Sequence, residues 1–194
     1  MKRKTTIACV GDSITYGETL QDRSVQNYPS RLGVLLGEDF EVVNLGRNGA
    51  GLWSGGGFPY TETDEYRRAL VMRADCYVIC LGTNDIIYGV SDSLLKAFEK
   101  DYLSLICSFK LVFPGARVIV CTLPPVPCMR VNGSEEAIGK LNDAIAHIAT
   151  ANGLTLVDLY EVFRGKDYLF TDGVHPNSEG AGVIVDMIYE ALSA

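Results

Sequence analysis

The chain has 194 residues and a mass of 21.1 kDa, a length served by one hydrophobic core, since cores divide only beyond about 250–300 residues. Its 47% hydrophobic, 21% charged and 9% aromatic residues suit an ordinary globular protein and argue against disorder, collagen or a coiled coil. The 17 Lys and Arg against 24 Asp and Glu leave a net charge of −7, which argues against a general binder of nucleic-acid backbones.

Met1-Lys2-Arg3-Lys4 resembles the basic start of a signal peptide, but Ile7-Ala8-Cys9-Val10 is too short for a secretory apolar segment before Gly11-Asp12 intervenes. No apolar run approaches the roughly 20 residues of a membrane-spanning helix. The expectation is a cytoplasmic protein that does not enter a membrane. In chain order, β-rich runs fall at Thr6–Val10, Glu41–Leu45, Cys76–Leu81, Arg117–Leu123 and Thr155–Leu159. They are nearly continuous in Val, Ile, Leu and Cys, as strands covered on both faces should be.

Helical stretches separate the runs. Weaker ones lie near Tyr28–Leu36 and Glu62–Met72. Three-and-four spacing is clear in Leu94, Leu95, Phe98, Tyr102, Leu105, Ile106 and Phe109. It returns in Ile138, Leu141, Ile145 and Ile148, and again in Ala181, Ile184, Val185, Ile188 and Leu192. Alternating strands and helices predict an α/β fold, a parallel sheet with helices on both faces, in a single domain over residues 1–194. Cys9, Cys76, Cys80 and Cys121 sit in strand-like runs and should pack as reduced, small hydrophobes. With no Cys-x-x-Cys and no pair of histidines, no metal site is expected. Asn132-Gly133-Ser134 has the form of a glycosylation sequon, without consequence in a chain that is not secreted.

In such sheets the ligand site lies beyond the carboxyl ends of the strands. Four segments fall there: Gly11-Asp12-Ser13-Ile14-Thr15, Asn44-Leu45-Gly46-Arg47-Asn48-Gly49, Gly82-Thr83-Asn84-Asp85, and Thr171-Asp172-Gly173-Val174-His175-Pro176. Together they hold the parts for acyl transfer. A serine hydroxyl needs a base within reach, and His175 is available to Ser13. Asp172, three residues before His175, is placed to hold the other ring nitrogen. The backbone N–H groups of Ser13 and Gly49 and the amide of Asn84 suit the charge that develops on the substrate oxygen.

The four segments resemble the blocks of the GDSL or SGNH hydrolase family, which carry a Ser, a Gly, an Asn and a His. Gly11-Asp12-Ser13-Ile14 departs only by Ile in place of the family's Leu. The resemblance runs from Ile7 to about Ile188. It implies a flavodoxin-like three-layer α/β/α sandwich with about five parallel strands, and a serine esterase that needs neither metal nor organic cofactor. Ser13 would be the nucleophile, His175 the base and Asp172 its partner, with Ser13, Gly49 and Asn84 forming the oxyanion hole.

Competing motifs fail on spacing. Thr15 stands where an α/β-hydrolase elbow needs Gly. Gly133 to Gly139-Lys140 is one residue too long for a phosphate loop and is followed by Leu141. Ser54 replaces the third glycine of a dinucleotide fingerprint. His147 falls off its helix's apolar stripe and should face solvent. Asp12 and Asp85 are read as carboxylates that bond loop backbone.

Trp53, Tyr60, Tyr88 and Arg47 lie in loops at the site end and are the candidate substrate-binding residues, the alternative for the three aromatic rings being that they only close the loops over the core. The stretch Gly57-Phe58-Pro59-Tyr60 through Glu65-Tyr66 to Asn84 resembles the family's carbohydrate O-acetylesterase branch. The expected partner is therefore a small-molecule or glycan ester, with no nucleic acid and no membrane. The alternatives are a lysophospholipase or thioesterase for longer acyl chains, or a catalytically silent glycan-binding module.

Overall fold

The structure, a computed structural model, describes residues 3–129 and 134–193. Asn132 and Gly133 of the sequon lie outside them. Five strands, β1 (Thr5–Gly11), β2 (Phe40–Gly46), β3 (Cys76–Cys80), β4 (Arg117–Cys121) and β5 (Thr155–Val157), form one parallel sheet in the order β2-β1-β3-β4-β5. The helices are α1 (Ser13–Tyr16), α2 (Arg23–Gln26), α3 (Tyr28–Leu36), α4 (Asp64–Met72), α5 (Asp92–Val112), α6 (Ser134–Ala151), α7 (Leu159–Phe163) and α8 (Ser178–Ser193).

Alternate residues of each strand enter opposite cores. Ala8, Val10, Tyr77, Ile79, Val118 and Val120 pack with apolar side chains of α4, α5 and α6. Ile7, Cys9, Val78, Ile119 and Val157 pack with those of α3, α7 and α8 on the other face. This is the three-layer α/β/α sandwich, and it explains why the strands read as unbroken apolar runs. Cys9, Cys76, Cys80 and Cys121 all lie in the second core as free thiols.

Side chains set the element boundaries. Asn27 caps α3 through Ser30 N–H at 2.8 Å, with Pro29 in its first turn. The stretch expected as one helix over Glu62–Met72 is instead a 3₁₀ turn at Tyr60–Glu62 followed by α4. Thr63 divides them, because its extended backbone lets its hydroxyl cap α4 at Tyr66 N–H. The fourth strand stops at Cys121 rather than Leu123, since the Asn142 side chain takes both backbone groups of Leu123. Leu159 opens α7 rather than ending β5, because Asp158 caps that helix at Glu161 N–H.

The chain leaves central β1 for the edge strand β2, then returns across it to β3. Loops after β1 and β3 therefore diverge at a topological switch point, where open α/β sheets make their binding crevices. Gly11 and Gly46 are paired at the ends of β1 and β2, and α1 rests directly on them. A Cβ on Gly46 would stand 2.2 Å from Tyr16 N and 2.6 Å from Thr15 C, backbone atoms that cannot swing aside. Gly46→Ala is expected to destabilise the protein by about 3 kcal/mol through this overpacking. Gly139→Ala, in α6 with open space around it, should stabilise by about 0.5–1 kcal/mol. Urea unfolding of the two variants beside wild type checks both signs.

Candidate active site

Ser13 begins α1, immediately after β1. Asp12 caps this helix, its Oδ1 accepting from Ile14 N–H at 2.9 Å. The turn is seated by Asn44, whose side-chain amide donates to Thr15 O at 2.8 Å while its Oδ1 accepts from Gly46 N–H at 2.9 Å. The Ser13 hydroxyl is therefore held on a backbone fixed from two sides.

The turn at residues 171–175 faces it across the strand ends. Thr171 N–H donates to His175 O at 2.9 Å, which closes the turn. Gly173 takes φ +81° and sits so close to Cys128 that a Cβ would meet its backbone N at 2.8 Å. Asp172 Oδ1 accepts from the Val174 and His175 N–H groups at 3.0 and 2.8 Å. Its Oδ2 lies 2.7 Å from His175 Nδ1, and His175 Nε2 lies 2.9 Å from Ser13 Oγ. Partial burial pushes the Asp172 carboxyl up. The His175 N–H, the His175 ring and the Val174 N–H outweigh that and bring it to about 2. A carboxylate so held accepts a hydrogen bond from Nδ1–H, leaving the Nε2 lone pair directed at the serine hydroxyl.

Three donors remain unspent nearby. The N–H groups of Ser13 and Gly49 make no hydrogen bond within the described residues. Asn84 uses one amide hydrogen on Ala50 O at 3.0 Å and keeps the other. Gly49, at φ +75°, adopts a conformation that favours glycine. Asp85, buried one residue after Asn84, accepts from Leu52 and Trp53 N–H at 2.8 Å each and so ties down the loop after β2. Acyl transfer needs this set: a nucleophile, a base with an oriented ring, and fixed donors for an oxyanion.

A model of the GDSL-like lipase/acylhydrolase family matches residues 9–183. The chain belongs to this family. An acetylxylan esterase of Xylanibacter ruminicola is 27% identical over 96% of the chain, which spans 42% of that relative's length. The solved structure of the acetyl xylan esterase AlAXEase matches with TM-score 0.76 at 22% identity, over 96% of this chain and 99% of that one. A catalytic mutant of Axe2, an acetylxylan esterase from Geobacillus stearothermophilus, matches with TM-score 0.76 at 17% identity, over 99% and 95%. These structures share the fold of this chain.

The substrate-binding candidates divide. Trp53 and Tyr88 meet edge to face, ring centroids 5.5 Å apart, and line one open hollow with Val90 and Leu94. Gly57 N–H donates to Tyr88 Oη at 2.6 Å, which closes the glycine-rich loop over this pair. Arg47 is half exposed, 3.7 Å from Glu65 and over the Phe58 ring. Tyr60 is a correction: it is fully buried and its hydroxyl donates to Leu45 O at 2.7 Å. Its 3₁₀ turn points the ring into the α4–α5 core, so it does not face a substrate. Two contributors carried no readable signal in sequence. Cys128 N–H pins Gly173 O at 3.2 Å, and Ala50 O holds the Asn84 amide. Both act through backbone that any residue supplies. His147 is exposed beside Glu99.

Asn84→Ala should lower kcat by roughly 10²–10³ with little change in KM, because an oxyanion donor strengthens its bond only as charge develops. Steady-state kinetics on an aryl acetate reads this split. Asp172→Asn should lower kcat by up to about 10⁴ by presenting the wrong histidine tautomer. Since its folded carboxyl lies below the usual range, Asp172 favours the folded state above pH 3.8, and that contribution is lost as pH falls towards about 2. Acid unfolding of Asp172→Asn beside wild type should therefore converge below this window.

Proposed function

We propose that this protein is a carboxylic ester hydrolase that removes O-acetyl groups from carbohydrates through an acyl-enzyme on Ser13. The observation that carries this reading is the hydrogen-bonded line from Asp172 through His175 to Ser13 Oγ, beside three unspent donors. Ser13 Oγ attacks the ester carbonyl and its proton passes to His175 Nε2, while Asp172 supports the imidazolium. The carbonyl oxygen, now negative, is held by Ser13 N–H, Gly49 N–H and Asn84 Nδ2. The C–O bond to the alcohol breaks, and His175 gives the departing oxygen its proton. A water then loses a proton to His175 and attacks the acyl carbon, Ser13 recovers the proton, and the carboxylic acid leaves.

Two features support acetyl and sugar. Relatives described above bear the name acetylxylan esterase. The hollow walled by Trp53 and Tyr88 also carries Ser91 and Ser93 beside Val90 and Leu94, a short mixed lining suited to a ring with hydroxyls. Each added CH₂ would gain about 0.8 kcal/mol against an apolar wall, and without such a wall longer chains gain nothing. Across p-nitrophenyl esters, kcat/KM is expected to fall steadily from acetate to octanoate, and acetylated oligosaccharides should release acetate. A maximum at eight carbons or longer would transfer the reading to a lysophospholipase or thioesterase.

A further inference from the structure

Two consecutive residues of the 3₁₀ helix after β3 (Thr83–Tyr88) bond the loop after β2. Asn84 carries one donor itself and holds Ala50 O. Asp85 holds the Leu52 and Trp53 N–H groups, fixing the loop that bears Gly49. The Ser13 turn and this helix leave neighbouring strands side by side, since Gly11, just before Asp12, pairs with Cys80 at the end of β3.

Asp12 is 1% exposed and uses only one carboxylate oxygen, on Ile14 N–H. Its Oδ2 is buried without a partner, and so is the hydroxyl of Thr83, which is 8% exposed. Two unsatisfied buried polar atoms are costly unless they serve each other. We propose that Asp12 and Thr83 are positioning residues, a buried carboxylate–hydroxyl contact that locks the Ser13 turn to the Asn84 helix and so fixes the spacing of the oxyanion donors. The proposal rests on the reading of Ser13 as nucleophile.

The electrostatics agree. Burial pushes the Asp12 carboxyl up to about 6, against the pull of the Ile14 N–H, the Thr83 hydroxyl and His175, with Asp85 adding to the rise. The charged groups facing it are thus His175 from the 171–175 turn and Asp85 from the 3₁₀ helix. The Thr83 hydroxyl pulls the Asp12 carboxyl down, the sense expected of an O–H directed at the ionised carboxylate. The hydroxyl is the group to remove.

Thr83→Val keeps shape and deletes the hydroxyl, whereas Thr83→Ser keeps the hydroxyl. On p-nitrophenyl acetate, Thr83→Val should lose on the order of 10–100-fold in kcat at nearly constant KM, the size of effect that small misplacements produce. Thr83→Ser should retain most of the wild-type kcat. In ¹³C NMR of the carboxyl groups, Asp12 should titrate above the ordinary carboxylate range in wild type and higher still in Thr83→Val. A fluorophosphonate probe should still label Ser13 in each variant. Wild-type kcat in Thr83→Val, equal losses in Val and Ser variants, or an Asp12 carboxyl that titrates normally in wild type would each overturn the proposal. Should Thr83→Val fail to fold, the wild-type titration and the Ser variant still decide it. Wild-type enzyme left unlabelled at Ser13 would instead sink the underlying reading, and the proposal with it.

Discussion

Helix α1 lies against the ends of β1 and β2 with no room for a side chain between them, and where Ser13 stands follows from that contact. Gly11 and Gly46 make the approach possible, because a Cβ at either would fall within 2.7 Å of three atoms, most of them in the α1 turn. The turn is then pinned by Asp12 at its start and Asn44 at its end. A four-residue helix has too few internal hydrogen bonds to persist by itself. Its order is borrowed from the sheet, which is the most buried and least deformable part of the molecule. The position of Ser13 is thereby a property of strand register rather than of the loop.

The same carboxylate chemistry serves three different ends here. Asp172, partly exposed and bonded by two N–H groups and a ring, is held low and stays charged where the histidine needs a negative partner. Asp12 and Asp85 are buried, and burial raises both. Asp85 recovers much of that cost through two backbone N–H groups, and in doing so orders the loop carrying Gly49 and Trp53. Asp12 has only one such bond, so more of its cost remains. Burial with few partners is tolerated where a site needs an inflexible frame.

Much of this was legible in the sequence. Strands buried on both faces must be apolar throughout, and helices packed on one side must repeat at 3.6, so the sheet and the long helices declared themselves. The parallel sheet in turn assigned the loops after the strands to the site, and the structure brings Ser13, Asp172 and His175 within hydrogen-bond reach of one another. Short elements were less readable. Helix α1 shows no periodicity over four residues, and Leu159 belongs to an apolar run whose switch from strand to helix depends on the Asp158 cap. Tyr60 was misplaced because an aromatic residue near a glycine-rich loop carries no mark of which way its ring turns. The backbone partners Ala50 and Cys128 were invisible for a simpler reason, since a carbonyl or an N–H leaves no trace in residue identity.

The central claim is that Ser13 forms the covalent acyl-enzyme. Mixing the protein with p-nitrophenyl acetate, quenching in acid within the first turnovers and mapping peptides by mass spectrometry tests it most directly. The account predicts one acetyl group on the peptide containing Ser13, accumulating further when Asn84 is intact and water attack is slowed at acid pH. An acetyl group on another residue, or turnover with no acylated peptide in a trapped sample, would contradict it.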